Sequence, residues 1–245
     1  MKVQSLFISD IHLGYPHCKT DKFLAFIEEI ECENLFVVGD LIDACAFHEG
    51  YLWKNDNNAI VEKILRFTRG AGKIYYIWGN HDDFLCKWKK FALGKNIEIN
   101  RRKIYKALNG KKYLLIHGDQ FDGFIRLKFF SVLQKFSNLL YDGALEINRI
   151  VNKLIRKLGW REKYMSIFLN PKLNNFQALT TQEAKRYKCE GVICGHIHHP
   201  KHYENINNIE YFNCGDWISS CSYIVENLDG TFNVKKFYWE NKKKV

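Results

Sequence analysis

Apolar positions along this chain follow two periodicities, and the points where one gives way to the other mark out its elements. Five short runs rich in β-branched and aromatic residues, 3–9, 35–38, 74–78, 113–116 and 192–194, read as buried strands. Behind a Thr20-Asp21 cap, Phe23, Leu24, Ile27 and Ile30 recur at helical spacing and predict a helix through about Glu31. Ile60, Val61, Ile64 and Leu65 predict a second helix over 57–69, capped at Asn57 or Asn58 and stopped by Gly70. Strand, helix, strand, helix, strand is the order of an α/β sheet. A short helix over 83–92 and one edge strand over 97–107 follow, and Asn109-Gly110 turns the chain into the fourth run. Beyond Cys194 the strands come close together, at 209–213, 219–226 and 231–238, with Asp229-Gly230 joining the last two. The chain is therefore expected to end as a β-meander, which fits two sheets packed face to face with helices outside.

Residues 121–188 interrupt this pattern, leaving 1–120 and 189–245 as the core. A structureless connection of that length is implausible within a compact domain, and the pattern is helical. Phe124, Leu127, Phe130, Val132, Leu133, Phe136 and Leu140 form one segment; Leu145, Ile147, Ile150, Val151, Leu154 and Leu158 form the next, broken at Gly159-Trp160. The expectation is a helical cap. It carries 13 Lys and Arg against 5 Asp and Glu, so most of the chain's net +10 gathers there. A helical hairpin with one packed face and solvated charges would account for the composition. Yet Phe129, Phe130, Leu139, Leu140, Trp160, Tyr164, Met165 and Phe168 exceed what one face needs, and surplus apolar surface beside basic residues suits an amphiphilic ligand or a membrane surface.

Composition narrows the class. A chain of 245 residues can bury a sizeable core in one domain with an insertion, and 47% hydrophobic with 26% charged residues argues against disorder. The charge of +10 points to an anionic partner: a phosphorylated ligand, nucleic acid or an acidic membrane. Nucleic acid is disfavoured, because no interleaved Arg and aromatic groove motif accompanies the charge. No run approaches the roughly 18 apolar residues of a membrane span. Met1 leads directly into the first strand, so a cytoplasmic location without a cleaved leader is expected. The eight cysteines are scattered without a C-x-x-C pair and read as free thiols.

Each of the five runs ends on residues that carry chemistry: Asp10-Ile11-His12, Gly39-Asp40-Leu41-Ile42-Asp43, Gly79-Asn80-His81-Asp82, His117-Gly118-Asp119 and Gly195-His196-Ile197-His198. The carboxyl ends of strands are where α/β sheets bind ligands. These motifs, in this order over residues 4–199, resemble the calcineurin-like metallophosphoesterase superfamily. The resemblance implies a four-layer αββα sandwich of two mixed β-sheets, carrying the helical cap insertion, and two divalent metal ions. Asp10, His12, Asp40 and His198 would hold one ion and Asp40, Asn80, His117 and His196 the other, with Asp40 bridging. Along an extended segment, residues at i and i+2 face one way, so Asp10 with His12, and His196 with His198, are expected to converge. Carboxylate, amide and imidazole ligands without Cys suit Mn, Fe or Zn, and Mn is the expected ion. His81 is implied to be catalytic rather than a ligand, stabilising charge on the phosphate or leaving group while Asp43 holds it; a helix cap is the competing role for Asp43. Such chemistry needs no protein nucleophile.

Within the superfamily the chain looks like the UDP-2,3-diacylglucosamine diphosphatase branch. The carrying residues are Phe7-Ile8-Ser9-Asp10-Ile11-His12-Leu13-Gly14, Val38-Gly39-Asp40-Leu41-Ile42-Asp43, Ile116-His117-Gly118-Asp119 and Tyr211-Phe212-Asn213-Cys214-Gly215-Asp216-Trp217. The implied reaction cleaves the pyrophosphate of a UDP-sugar lipid to UMP and 2,3-diacylglucosamine 1-phosphate, in lipid A biosynthesis, by a peripheral protein on the cytoplasmic face of the inner membrane. His81 stands where the best-known members carry Arg, which places the chain with a second, His-containing subgroup. Implied substrate contacts are Asn80, His81 and His196 at the centre and Asp122, Lys172, Asn174 and Asn175 in the cap. The alternative is a metallophosphoesterase acting on a soluble phosphodiester, nucleotide or nucleic acid. A non-catalytic scaffold is disfavoured by the complete ligand set.

Overall fold

Alternation within the first two apolar runs decides how the layers form. A computed structural model describes residues 1–48, 51, 53–67, 72–88, 96–121 and 166–239. Strands β1 (Lys2–Ile8) and β2 (Glu31–Val38) pair in parallel, and β2 pairs in parallel with β3 (Lys73–Ile77). The connections contain α1 (Thr20–Glu29), the short α2 (Ala44–His48) and α3 (Asn55–Arg66). Leu6, Ile8, Leu35 and Val37 face these helices and form a buried cluster with Phe23, Phe26, Ile27, Ile60 and Ile64. Their neighbours Phe7, Phe36 and Val38 face the opposite way, as the two-residue period of a strand requires. With Ile77 they meet Tyr113, Leu115, Ile193 and Phe212 of a second sheet. One pair of strands thus feeds a helix–sheet core and a sheet–sheet core, which makes the molecule an α/β fold of two mixed sheets with helices.

The six-stranded sheet runs β11-β10-β1-β2-β3-β4 and the five-stranded one β5-β6-β7-β9-β8. Their remaining members are β4 (Ile97–Asn100), β5 (Arg102–Lys106), β6 (Lys112–Ile116), β7 (Gly191–Cys194), β8 (Lys201–Ile206), β9 (Ile209–Asn213), β10 (Ser222–Glu226) and β11 (Phe232–Lys236). Several sequence expectations change here. The strand expected over 97–107 is two strands in different sheets: β4 runs parallel to β3, β5 antiparallel to β6, and Arg101 alone separates them. The C-terminal strands are not a meander. β7 lies parallel to both β6 and β9, while β10 crosses to the first sheet and pairs antiparallel with β1. Strand β8 was not predicted, because its polar, largely exposed sequence shows no buried face; it forms an edge by pairing with β9. Helix α1 ends at Glu29 because Ile30 is already extended (φ −110°, ψ 136°) and Glu31 pairs with Lys2. The helix expected over 83–92 is a 3-10 helix over Asp83–Trp88, with 89–92 outside the described residues.

The chain divides into two units, Met1–Asp119 with Gln177–Val245, and Gln120–Phe176. Helix α4 (Ser166–Arg186) buries Thr180, Thr181 and Ala184. Asp122 and the apolar positions 124–165 lie outside the described residues, as do the side chains of Phe168, Lys172, Asn174 and Asn175. Among the described residues no helix is long and apolar enough to cross a membrane. All eight cysteines are free.

Phe36 sits at the middle of the sheet–sheet core, its ring stacked 4.6 Å from Phe7 and 4.7 Å from Tyr75. Truncation to Ala removes contacts on both faces and leaves a cavity between the sheets. Phe36→Ala is expected to lose about 3–5 kcal/mol in urea unfolding; a loss under about 1 kcal/mol would contradict this packing.

Candidate metal centre

The polar pieces that end the strands leave extended geometry at once. Asp10 (φ 53°), His12 (55°), Asp40 (53°), His196 (70°) and His198 (53°) all adopt the left-handed conformation. Residues other than glycine enter this region at a cost, and such strain gathers at functional sites. The convergence expected from an extended i, i+2 segment therefore has another origin. Left-handed turns after β1, β2 and β7 swing Asp10, His12, Asp40, His196 and His198 into one place. Backbone bonds hold the turns together: Asp10 N–H donates to Gly39 O (3.1 Å), His12 N–H to Asp40 O (2.9 Å) and Gly195 N–H to His117 O (3.0 Å). The close approach demands glycine at position 79, where a Cβ would sit 2.6 Å from His117 Cδ2 and against the Asp40 carboxylate.

Three groups of ligand-type atoms result, each within 4.8 Å: Asp10, His12 and His198; Asp40, His117 and His196; and His12, Asp43 and His81. Asp40 Oδ2 lies between the first two, 3.0 Å from His117 Nε2 and 4.0 Å from His12 Nε2. Asp10 Oδ1 lies 3.2 Å from His198 Nε2 and 3.8 Å from His12 Nε2. Yet Asp10 Oδ1, His12 Nε2, Asn80 Oδ1 and His117 Nε2 are buried without a hydrogen-bond partner. Orphaned buried atoms of this kind are costly, and those of Asp10, His12 and His117 belong to residues gathered around common points. Carboxylate, amide and imidazole donors fit hard or borderline divalent cations.

The other atoms of the same side chains are secured. Asp10 Oδ2 accepts from Ser9 Oγ (2.5 Å) and His196 N–H (2.9 Å). His117 Nδ1 bonds Val38 O (2.9 Å), and Asp40 Oδ1 accepts His81 N–H (2.9 Å). Asp43 holds two imidazoles at once, with Oδ2 3.0 Å from His12 Nδ1 and Oδ1 2.9 Å from His81 Nδ1. It also accepts Ala46 N–H (3.0 Å) at the start of α2, so the helix-cap role and the imidazole-orienting role coexist in one residue.

Further residues that sequence reasoning passed over tie the loops to one another. Asp82 accepts Leu41 N–H (3.0 Å), Gly79 N–H (2.5 Å) and Tyr76 O–H (2.6 Å), joining the Asp40 turn to the Asn80 turn. Arg101 stacks on Trp78 at 4.4 Å, donates to Trp78 O (2.9 Å) and pairs with Asp119 (2.6 Å), joining the Asn80 turn to the His117 turn. Asn213 donates to Gly195 O (2.7 Å) beneath the last motif. Asp82, Asp119 and Asn213 stood beside or inside quoted motifs, and that proximity was their only sequence signal.

Burial opposes charge on Asp10, Asp40, Asp43, His12, His81 and His117, and pairing reverses the outcome. Asp10 stays well below the usual carboxylate range against its burial because His198 and His117 face it, and Asp40 and Asp43 are lowered by their own imidazole partners. Burial would lower the imidazoles, but Asp10 and Asp43 raise His12 to about 9, Asp40 and Asp10 raise His117 to about 10, and Asp43 raises His81 to about 11. Without cations, protons balance the carboxylates.

Residues 4–200 match the model of the calcineurin-like phosphoesterase family, and the chain belongs to that family. Family, fold and site together define a hydrolase of the metallophosphoesterase class, whose chemistry uses divalent metals. The chain is 29% identical over 251 residues to a UDP-2,3-diacylglucosamine hydrolase of Aliivibrio fischeri, covering 94% of this chain and 97% of that protein. It is 26% identical over 246 residues to one of Psychromonas ingrahamii, covering 91% and 93%. Among solved structures, an archaeal phosphodiesterase is similar with a TM-score of 0.47 and 14% identity over 95% of this chain and 99% of that one.

Two outcomes follow. A methyl group at position 79 would push Asp40 and His117 apart, so Gly79→Ala is expected to weaken Mn²⁺ binding at least about tenfold in calorimetry; unchanged affinity would count against the packing. Because His12 and His117 hold protons in the metal-free chain below about pH 9, Mn²⁺ binding at pH 7.5 should release protons, and affinity should rise with pH up to that range. Binding heats that are equal in Tris and HEPES, whose ionisation enthalpies differ, would contradict it.

Proposed function

We propose that the chain hydrolyses the pyrophosphate of UDP-2,3-diacylglucosamine, giving UMP and 2,3-diacylglucosamine 1-phosphate. The observation that carries this reading is similarity across nearly the whole length of proteins so named, joined to two groups of metal-type ligands. Asp10, His12, Asp40 and His198 would hold one cation and Asp40, Asn80, His117 and His196 the other, with manganese the expected element. Bound there, the cations supply Lewis acidity toward phosphoryl oxygens and lower the pKa of water.

The chain's own residues do the rest. His81 is fixed through Nδ1 by Asp43; its side chain is 20% exposed, whereas Asp43 is buried, so part of the ring stays open toward a substrate. The Asp43 carboxylate keeps the imidazole protonated near neutral pH, so His81 can hold a proton beside a phosphate oxygen and deliver it to the leaving group. Asn80 and His196 border the same phosphoryl position. Substrate contacts from Asp122, Lys172, Asn174 and Asn175, and a basic, apolar 121–188 insertion that meets acyl chains and an anionic membrane surface, complete the proposal and extend it to a peripheral location on the cytoplasmic face of the inner membrane.

Release of UMP from UDP-2,3-diacylglucosamine with added Mn²⁺ tests the assignment. Asp40→Ala should abolish turnover, and His81→Ala should lower kcat by about 10²–10⁴. Absence of UMP release, alongside Asp40-dependent hydrolysis of an aryl phosphodiester, would retain the metal chemistry and reject the substrate.

A further inference from the structure

The turn that carries His12 continues into the wall of a cavity of about 430 Å³, within the roughly 300–1,000 Å³ typical of small-ligand sites. Tyr15, Pro16, Thr20, Tyr51, Lys54 and Asn57 are among its lining residues. It adjoins the metal centre: Tyr15 N–H donates to His12 O (3.0 Å), and the two rings are 6.4 Å apart. Nothing in the chemistry above uses it.

Its polar groups have a definite pattern. Helix α1 begins at Thr20 and α3 directly after Lys54, and neither N-cap residue makes a side-chain hydrogen bond to its helix. Two positive helix ends therefore meet at one cavity. The exposed Lys54 ammonium pairs with no carboxylate among the described residues, and no carboxylate lines the cavity. Against these donors stands a buried amide oxygen. Asn57 is only 1% exposed, and its Oδ1 has no hydrogen-bond partner. A buried amide oxygen left in that state costs free energy that a ligand N–H would recover. Helix α3 could have been capped at Asn57; instead it begins at Asn55, and Asn57 is carried inside the first turn toward the cavity.

We infer that this cavity takes the pyrimidine-2,4-dione ring of the substrate's nucleotide half, an inference that rests on the hydrolase reading above. That ring edge presents one N–H between two carbonyl oxygens. Asn57 Oδ1 accepts the N–H, the Asn57 amide nitrogen donates to one adjacent carbonyl, and Lys54 donates to the other. Tyr15 and Tyr51 supply ring faces for stacking. The short step from Tyr15 to His12 leaves the phosphates at the metal centre while the base occupies the cavity.

Calorimetric titration of the Mn²⁺-loaded protein with UMP and with 3-methyl-UMP, which lacks the ring N–H, tests the site. Wild type should bind UMP about tenfold or more tightly than the methylated nucleotide. Asn57→Ala should erase that preference and Lys54→Ala should weaken UMP severalfold, in variants that keep the wild-type Mn²⁺ stoichiometry and unfolding midpoint. Lys54 is exposed, so that variant stays informative if Asn57→Ala unfolds. Equal affinity for both nucleotides in wild type, no binding of either, or an intact preference in Asn57→Ala overturns the site. UDP-2,3-diacylglucosamine hydrolysis measured in parallel separates the two readings: turnover without UMP preference removes the cavity assignment alone, and Asn57-dependent preference without lipid turnover removes the reaction alone.

Discussion

Mutual neutralisation of buried carboxylates and imidazoles is the interaction on which the rest of this structure depends. Asp10, Asp40 and Asp43 are withdrawn from water almost completely, as are His12 and His117. None of these charges would be tolerated alone, because an isolated buried ion is driven to neutralise. Together they form a polar interior whose positive partner can be a proton or a cation. The left-handed backbone at five of the seven ligand-type residues is the local cost of bringing them together. It persists because hydrogen bonds between successive turns, from Asp10 to Gly39, His12 to Asp40 and Gly195 to His117, leave the chain little alternative.

Much of this was legible in the sequence, for a physical reason. Strands buried on both faces announce themselves as uninterrupted apolar runs, so residues placed immediately after five such runs could be assigned to one end of the sheets. The α/β class followed from the same alternation. The conformation of those residues did not follow, because an Asp-x-His or His-x-His triplet looks the same whether extended or left-handed. Arg101 shows a second limit. Nothing in 97–107 interrupts the strand-like composition, yet the chain changes sheet there, and only the partners of Arg101 far along the chain, Trp78 and Asp119, reveal why.

Roles shared by one side chain were the hardest to read. Asp43 invited a choice between capping a helix and orienting an imidazole, whereas its two oxygens serve both and add His12 as a third partner. Asp82 had no assigned purpose, since its three donors come from positions 41, 76 and 79 and become neighbours only when β2 and β3 lie side by side. Composition located the basic charge in 121–188, but it carries no information on which of those side chains would meet a ligand.

The seam between the two sheets gives the arrangement a mechanical character. Asp10, His12, Asp40 and Asn80 follow strands of the six-stranded sheet, whereas His117, His196 and His198 follow strands of the other. Neither ligand group can be assembled from one sheet, and a single residue, Arg101, links β4 to β5 across the divide. Ions bound here would rivet one layer to the other, so catalytic competence and the docking of two hydrophobic faces become one cooperative property. Sliding either sheet by one residue would dismantle both groups together.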